Sequence, residues 1–249
     1  MLEYLFDSLR KIPVIRKRAI ELENINFKGH GLRYIDGKPL WIQNGKAYSF
    51  FVLANLSGRF LQDPRILEEL SIIVSKIVDF SKVDKILTLE TMGIHVSTSL
   101  SLKVKKPLAI VGKVKYVDDI SGWVPSYQIE VVKRAKRSEP KMYINGVYPG
   151  DRILLFDSVI STGDSFTAVI NALDKRRIEI TDAVAILEKE EYNGVEFVKE
   201  HTGITVKTLI KMKIVNVVER QDELFVYADL KPSQYFVEAL RNKSITKTH

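Results

Sequence analysis

The chain has 249 residues, 45% of them apolar and 28% charged, a balance ordinary for one globular core with a small appendage. It lacks cysteine, which excludes disulfides, thiolate metal sites and a cysteine nucleophile, and no apolar run approaches the ~20 residues that span a bilayer. The formal charge of +7 suits a polyanionic partner, either nucleic acid or a phosphorylated small molecule.

Met1 to Arg18 scatters charges among its apolar positions, unlike a signal peptide, so the cytoplasm is the expected compartment. The segment predicts a short apolar-basic helix, followed by a Gly-rich stretch around Lys28 to Gly37. Trp41 to Ile42 and Ala47 to Leu53 flank Asn44-Gly45, a hairpin signal. Asp63-Pro64 then opens a helix, acid as N-cap and proline in the first turn, with Ile66, Leu67, Leu70, Ile73, Val74 and Ile77 at helical spacing.

From there strand and helix alternate. Strands are expected at Lys85 to Leu89, Leu108 to Val111, Arg152 to Phe156, Ala183 to Leu187 and Val206 to Ile210. Helices are expected at Ile94 to Val104, Phe166 to Leu173 and Val195 to His201, the last stopped by Gly203. This alternation predicts an α/β fold with a mainly parallel sheet flanked by helices, and ligands beyond the carboxyl ends of its strands. Val114 to Arg137 breaks the rhythm with Asp118-Asp119, Gly122 and Pro125, and reads as a lid or a hairpin ending in the basic run 133–137. Lys213 to Leu230 predicts a terminal hairpin and Pro232 to Arg241 a closing helix. The expected organisation is an N-terminal hood over residues 1–58, a core over 59–212 with a flexible loop at about 114–137, and a C-terminal extension over 213–249.

The sharpest chemical signal is Arg152-Ile153-Leu154-Leu155-Phe156-Asp157-Ser158-Val159-Ile160-Ser161-Thr162-Gly163-Asp164-Ser165. A hydrophobic strand delivers an acid to its end, and a small hydroxyl-rich loop turns straight into a helix. Amides and dipole at that helix start favour a phosphate, Thr162 and Ser165 add hydroxyl donors, and Gly163 allows close approach. Asp157 stands where a carboxylate can accept sugar hydroxyls. The loop is neither a Walker loop nor a Gly-x-Gly-x-x-Gly fingerprint. The four histidines, His30, His95, His201 and His249, lack metal-ligand spacing, so no protein-held metal is expected.

Phe156 to Ser165 resembles the donor loop of the type I phosphoribosyltransferases, nearest to the adenine phosphoribosyltransferases, with Ser158 where the family has a second acid and Asp164 where glycine is frequent. Glu90-Thr91-Met92-Gly93 is similar to the family's pyrophosphate loop, with Met92 in place of arginine. Lys113 and Lys115 look like the basic pair that contacts pyrophosphate, and Ser126 to Val131 is similar to the end of the flexible loop, with Glu130 matching its acid. The resemblance spans about Asp63 to Ile210.

It implies transfer of ribose 5-phosphate from phosphoribosyl pyrophosphate to a purine, most simply adenine, giving AMP and pyrophosphate, with Mg2+ bridging the donor. Asp157, Ser158, Ser161, Thr162, Gly163, Asp164 and Ser165 would hold ribose and its 5-phosphate. Glu90, Thr91, Met92, Gly93, Lys113 and Lys115 would hold pyrophosphate, and Asp157 and Glu130 would carry the catalysis. Ser158 is expected to weaken donor binding about ten- to a hundredfold relative to a second acid. The family is commonly dimeric. The alternatives are a 6-oxopurine or orotate transferase, or a donor-sensing transcriptional regulator of the same fold. Only the regulator would bind nucleic acid, and no helix-turn-helix pattern precedes the core.

Overall fold

The computed structural model describes residues 20–21, 40–41, 47–48, 64–115, 128–132, 141–220 and 223–241. The apolar runs that open and close the alternating region build one sheet. Its strands are β1 (Ile20–Glu21), β4 (Lys85–Leu89), β5 (Leu108–Gly112), β6 (Gln128–Val132), β7 (Lys141–Asn145), β8 (Arg152–Ile160), β9 (Glu179–Lys189), β10 (Val206–Arg220) and β11 (Glu223–Pro232). A separate ribbon pairs β2 (Leu40–Trp41) with β3 (Ala47–Tyr48) antiparallel, as Asn44-Gly45 predicts. The order across the large sheet is β1-β11-β10-β9-β8-β4-β5-β7-β6. Neighbours from β10 to β5 are parallel, and antiparallel strands close both edges.

The helices are α1 (Pro64–Ile77), α2 (Ile94–Val104), α3 (Asp164–Asp174), α4 (Gly194–Thr202) and α5 (Gln234–Arg241). Ile66, Leu70, Ile73 and Val74 of α1, Leu100 of α2 and Phe236 of α5 pack with Leu154 and Phe156 of β8 in one core. Phe166, Val169 and Leu173 of α3 and Val198 of α4 pack with Ile153 and Leu155 in the other. The period of two along β8 thus feeds both faces. Phe156 and Phe166 are 1% and 2% exposed, and such burial stabilises by about 1.5–3 kcal/mol per side chain. At the amino ends of the strands, Arg152 donates to Asp84 across β8 and β4 at 2.8 Å, and this holds the Asp84 carboxyl down to about 2.

Several strands outrun their apolar cores. β8 extends to Ile160 because pairing with β9 continues through Asp157↔Ala185 and Ile160↔Glu188, so Asp157 lies inside the strand rather than at its tip. β9 likewise runs on to Lys189, and β10 forms one strand from Val206 to Arg220, continuing beyond Met212 with β11 alone. β7 has no counterpart in the sequence prediction. It pairs with β6, so the described end of the long excursion is a hairpin arm. The basic run 133–137 and residues 116–127 lie outside the described residues. Among the described residues no helix is long and apolar enough to cross a membrane.

Candidate functional site

Parallel pairing puts the carboxyl ends of β4, β5, β8 and β9 on one edge of the sheet. The loops that leave them are residues 90–93, the turn from Lys113, residues 161–163, and the short helical turn Glu190–Tyr192.

Loop 161–163 turns β8 into α3. Gly163 adopts φ +80°, a conformation that penalises any side chain, and its carbonyl accepts the Thr167 N–H at 2.9 Å. The first N–H groups of α3 lack partners within the helix and face the loop with the positive end of the dipole. A second constraint comes from α4. A Cβ on Gly163 would lie 2.5 Å from the Gly194 carbonyl oxygen and 2.9 Å from Val198 Cγ2, while a Cβ on Gly194 would strike the Ser161 carbonyl. Two glycines therefore let the start of α4 seat directly against the loop. Thr162 donates its hydroxyl to Asp164 Oδ2 at 2.8 Å, so in this state it serves the helix's own acid. Ser165 follows Asp164 in the first turn of α3.

Asp157 Oδ1 accepts the Ser158 N–H at 2.7 Å. Ser158 itself is fully buried and its hydroxyl has no hydrogen-bond partner. Across the sheet, Gly93 lies against Asp157: a Cβ there would be 2.5 Å from Asp157 Oδ1 and would also collide with Thr88 Oγ1. The 90–93 turn thus reaches onto the strand that leads into the 161–163 turn. Thr91 and Met92 complete the turn, with a cis peptide at Glu90-Thr91. Glu90 Oε2 accepts the Lys113 N–H at 2.8 Å, tying the end of β4 to the end of β5. Lys113 and Lys115 are exposed.

Glu130 stands apart from this contact. Its carboxylate pairs with Lys141 at 2.9 Å. With Asp164 it lines a groove of about 330 Å³ along α3, which Lys175 and Arg176 also line. Three residues escape prediction. Gly194 and Thr88 matter through what they touch. Lys189, at the carboxyl end of β9, is 3% exposed, and burial pushes its ammonium down to about 8, partly offset by Glu191. The one sequence signal for it was an acid–base pair, Glu188-Lys189, closing an apolar run.

An amide-lined turn, a neighbouring strand carboxylate and a second turn beside it lie together at the carboxyl edge of the sheet of an α/β protein. The model of the phosphoribosyl transferase domain matches residues 58–220. The chain is similar to the hypoxanthine/guanine phosphoribosyltransferase of Methanocaldococcus infernus, 39% identical over 169 residues, covering 68% of this chain and 87% of the relative. That of Methanobrevibacter ruminantium is 32% identical over 216 residues, covering 87% and 95%. Solved adenine phosphoribosyltransferases share the fold. Those from Rhodothermus marinus and Saccharomyces cerevisiae each superpose with a TM-score of 0.52 at 17% identity, over 69% of this chain and 91% and 93% of theirs. The chain belongs to the phosphoribosyltransferase family.

Proposed function

We propose that this protein is a purine phosphoribosyltransferase that moves ribose 5-phosphate from phosphoribosyl pyrophosphate to a ring nitrogen of a 6-oxopurine. The observation that carries the reading is the contact of Asp157 with Gly93, which brings a turn suited to pyrophosphate onto the carboxylate of the strand that leads into the phosphate turn. In the reaction the bond from the ribose C1 to pyrophosphate breaks and a bond to the base nitrogen forms. The base loses a proton, and positive charge builds on the sugar in between. Such chemistry asks the protein chiefly to position the donor and stabilise the departing anion.

Residues 161–165 hold the 5-phosphate through the loop and the first turn of α3, and Asp157 accepts the ribose hydroxyls. Ser158 stands behind Asp157, its N–H on the carboxylate. Residues 90–93 with Lys113 and Lys115 receive pyrophosphate, Glu90 bracing the two loops together. A magnesium ion would be carried on the donor's own oxygens, where it would neutralise the charge of the departing pyrophosphate. Glu130, the other acid expected to carry the catalysis, is paired with Lys141 on the neighbouring strand. Residues 117–127, the expected lid, lie outside the described residues.

Motif likeness alone favours adenine. One consideration moves the choice of base to hypoxanthine or guanine, giving IMP or GMP rather than AMP: relatives that cover most of this chain carry that name. The test is pyrophosphate release from the magnesium-bound donor with adenine, guanine, hypoxanthine and orotate. Turnover with guanine or hypoxanthine is expected. Turnover with adenine alone would overturn the choice of base, and no turnover with any of the four would overturn the enzyme reading.

A further inference from the structure

We infer that Thr88 is a positioning residue for the Asp157 carboxylate, acting as a hydroxyl donor held in reserve on the neighbouring strand. Thr88 is the fourth residue of β4, which pairs with β8 through Leu87↔Leu155. Its side chain is 0% exposed and its Oγ1 has no hydrogen-bond partner. A buried hydroxyl without a partner lowers stability, and valine would fill the same volume without that cost. The polar group it faces explains its presence. The point above Gly93 where a Cβ would sit lies closer than 3.0 Å to both Thr88 Oγ1 and Asp157 Oδ1, so hydroxyl and carboxylate border the same small gap. Gly93 has an ordinary helical φ of −74°, so this shared space, and not backbone conformation, demands a glycine there.

Asp157 Oδ1 already accepts one N–H, from Ser158. A carboxylate oxygen has room for a second donor. When ribose hydroxyls draw on the outward side of Asp157, a small turn of the carboxylate brings its inward oxygen within reach of the Thr88 O–H. The carboxylate is then held from two strands in the plane the sugar requires. Thr88 touches no substrate and works through Asp157 alone.

The inference rests on the function proposed above, and its test separates the two. Thr88→Val removes the donor and keeps the shape, whereas Thr88→Ser keeps the donor. In full-length enzyme with guanine or hypoxanthine, Thr88→Val is expected to raise the donor KM about tenfold, with kcat and the KM for the base within about twofold. Its melting temperature is expected to hold or rise. Thr88→Ser is expected to stay within about twofold of wild type throughout. A Thr88→Val enzyme with an unchanged donor KM would sink the inference, as would a fall in melting temperature with equal kinetic loss in Thr88→Ser. If the wild type turns over no base, the proposed function fails instead. Calorimetric binding of phosphoribosyl pyrophosphate to wild type and Thr88→Val then decides the role of Thr88, and equal Kd values refute it.

Discussion

Gly93→Ala isolates the contact of the 90–93 turn with Asp157 of β8. The added methyl carbon would lie 2.5 Å from Asp157 Oδ1, roughly 1 Å short of ordinary contact, and it would meet Thr88 Oγ1 as well. Neither neighbour yields easily. Thr88 is β-branched and fully buried, and Asp157 is held by the Ser158 N–H at 2.7 Å. Overpacking of this kind costs about 1–3 kcal/mol, which for a chain of this size lowers the melting temperature by about 2–4 °C per kcal/mol. The catalytic cost is larger, because displacing a catalytic group by about 1 Å lowers kcat/KM about a hundredfold. Gly112→Ala is the matched control one strand away: its Cβ would meet nothing nearer than Glu90 Oε2 at 3.7 Å, so activity within about twofold of wild type is expected. Thermal melts followed by circular dichroism, with initial rates of pyrophosphate release, measure both quantities. A Gly93→Ala enzyme with wild-type kcat/KM, or equal losses in the two variants, would refute the reasoning.

Gly194→Ala should raise the donor KM about a hundredfold, because its Cβ would lie 2.7 Å from the Ser161 carbonyl carbon and 2.9 Å from the Gly163 nitrogen, both backbone atoms of the phosphate turn; steady-state kinetics with varied donor checks this. Asp157→Asn keeps the shape but removes a charge-assisted acceptor for two sugar hydroxyls, so kcat/KM should fall about a hundredfold while the melting temperature changes little, and a fully active variant would end its ribose role. Lys189 gives a pH signature. Its folded-state value near 8 lies below the ordinary 10.5, so between those values the unfolded chain binds a proton that the folded chain does not, and stability rises with pH across that window. The burial penalty is complete below pH 8. Urea midpoints at pH 7 and pH 10 should therefore show Lys189→Met gaining less than wild type between the two conditions, and parallel curves would count against a buried ammonium.

The course of the fold is visible in the linear chain where hydrophobicity is periodic. Lys85–Leu89 and Ile94–Val104 match their predicted bounds, since apolar runs flanked by charge and glycine leave no competing register. The ends of β8 and β9 were not visible, because Asp157, Ser158, Glu188 and Lys189 are polar and only a parallel neighbour makes them strand. β7 escaped for a related reason: Lys141–Asn145 acquires its strand character by pairing with β5 and β6.

The site divides in the same way. Local sequence determined the 161–163 turn proposed to hold phosphate, since an apolar strand, a small loop and a helix start form one continuous segment whose amides and dipole act at short range. The alternation of strands and helices determined that this turn and the 90–93 loop would share one sheet edge. Only the tertiary structure decided that Gly93 closes on Asp157 and Thr88, that Gly194 seats on the Ser161 carbonyl, and that Lys189 is buried near 8. Those contacts join residues far apart in the chain, and both packing and desolvation depend on what surrounds a group rather than on its own identity.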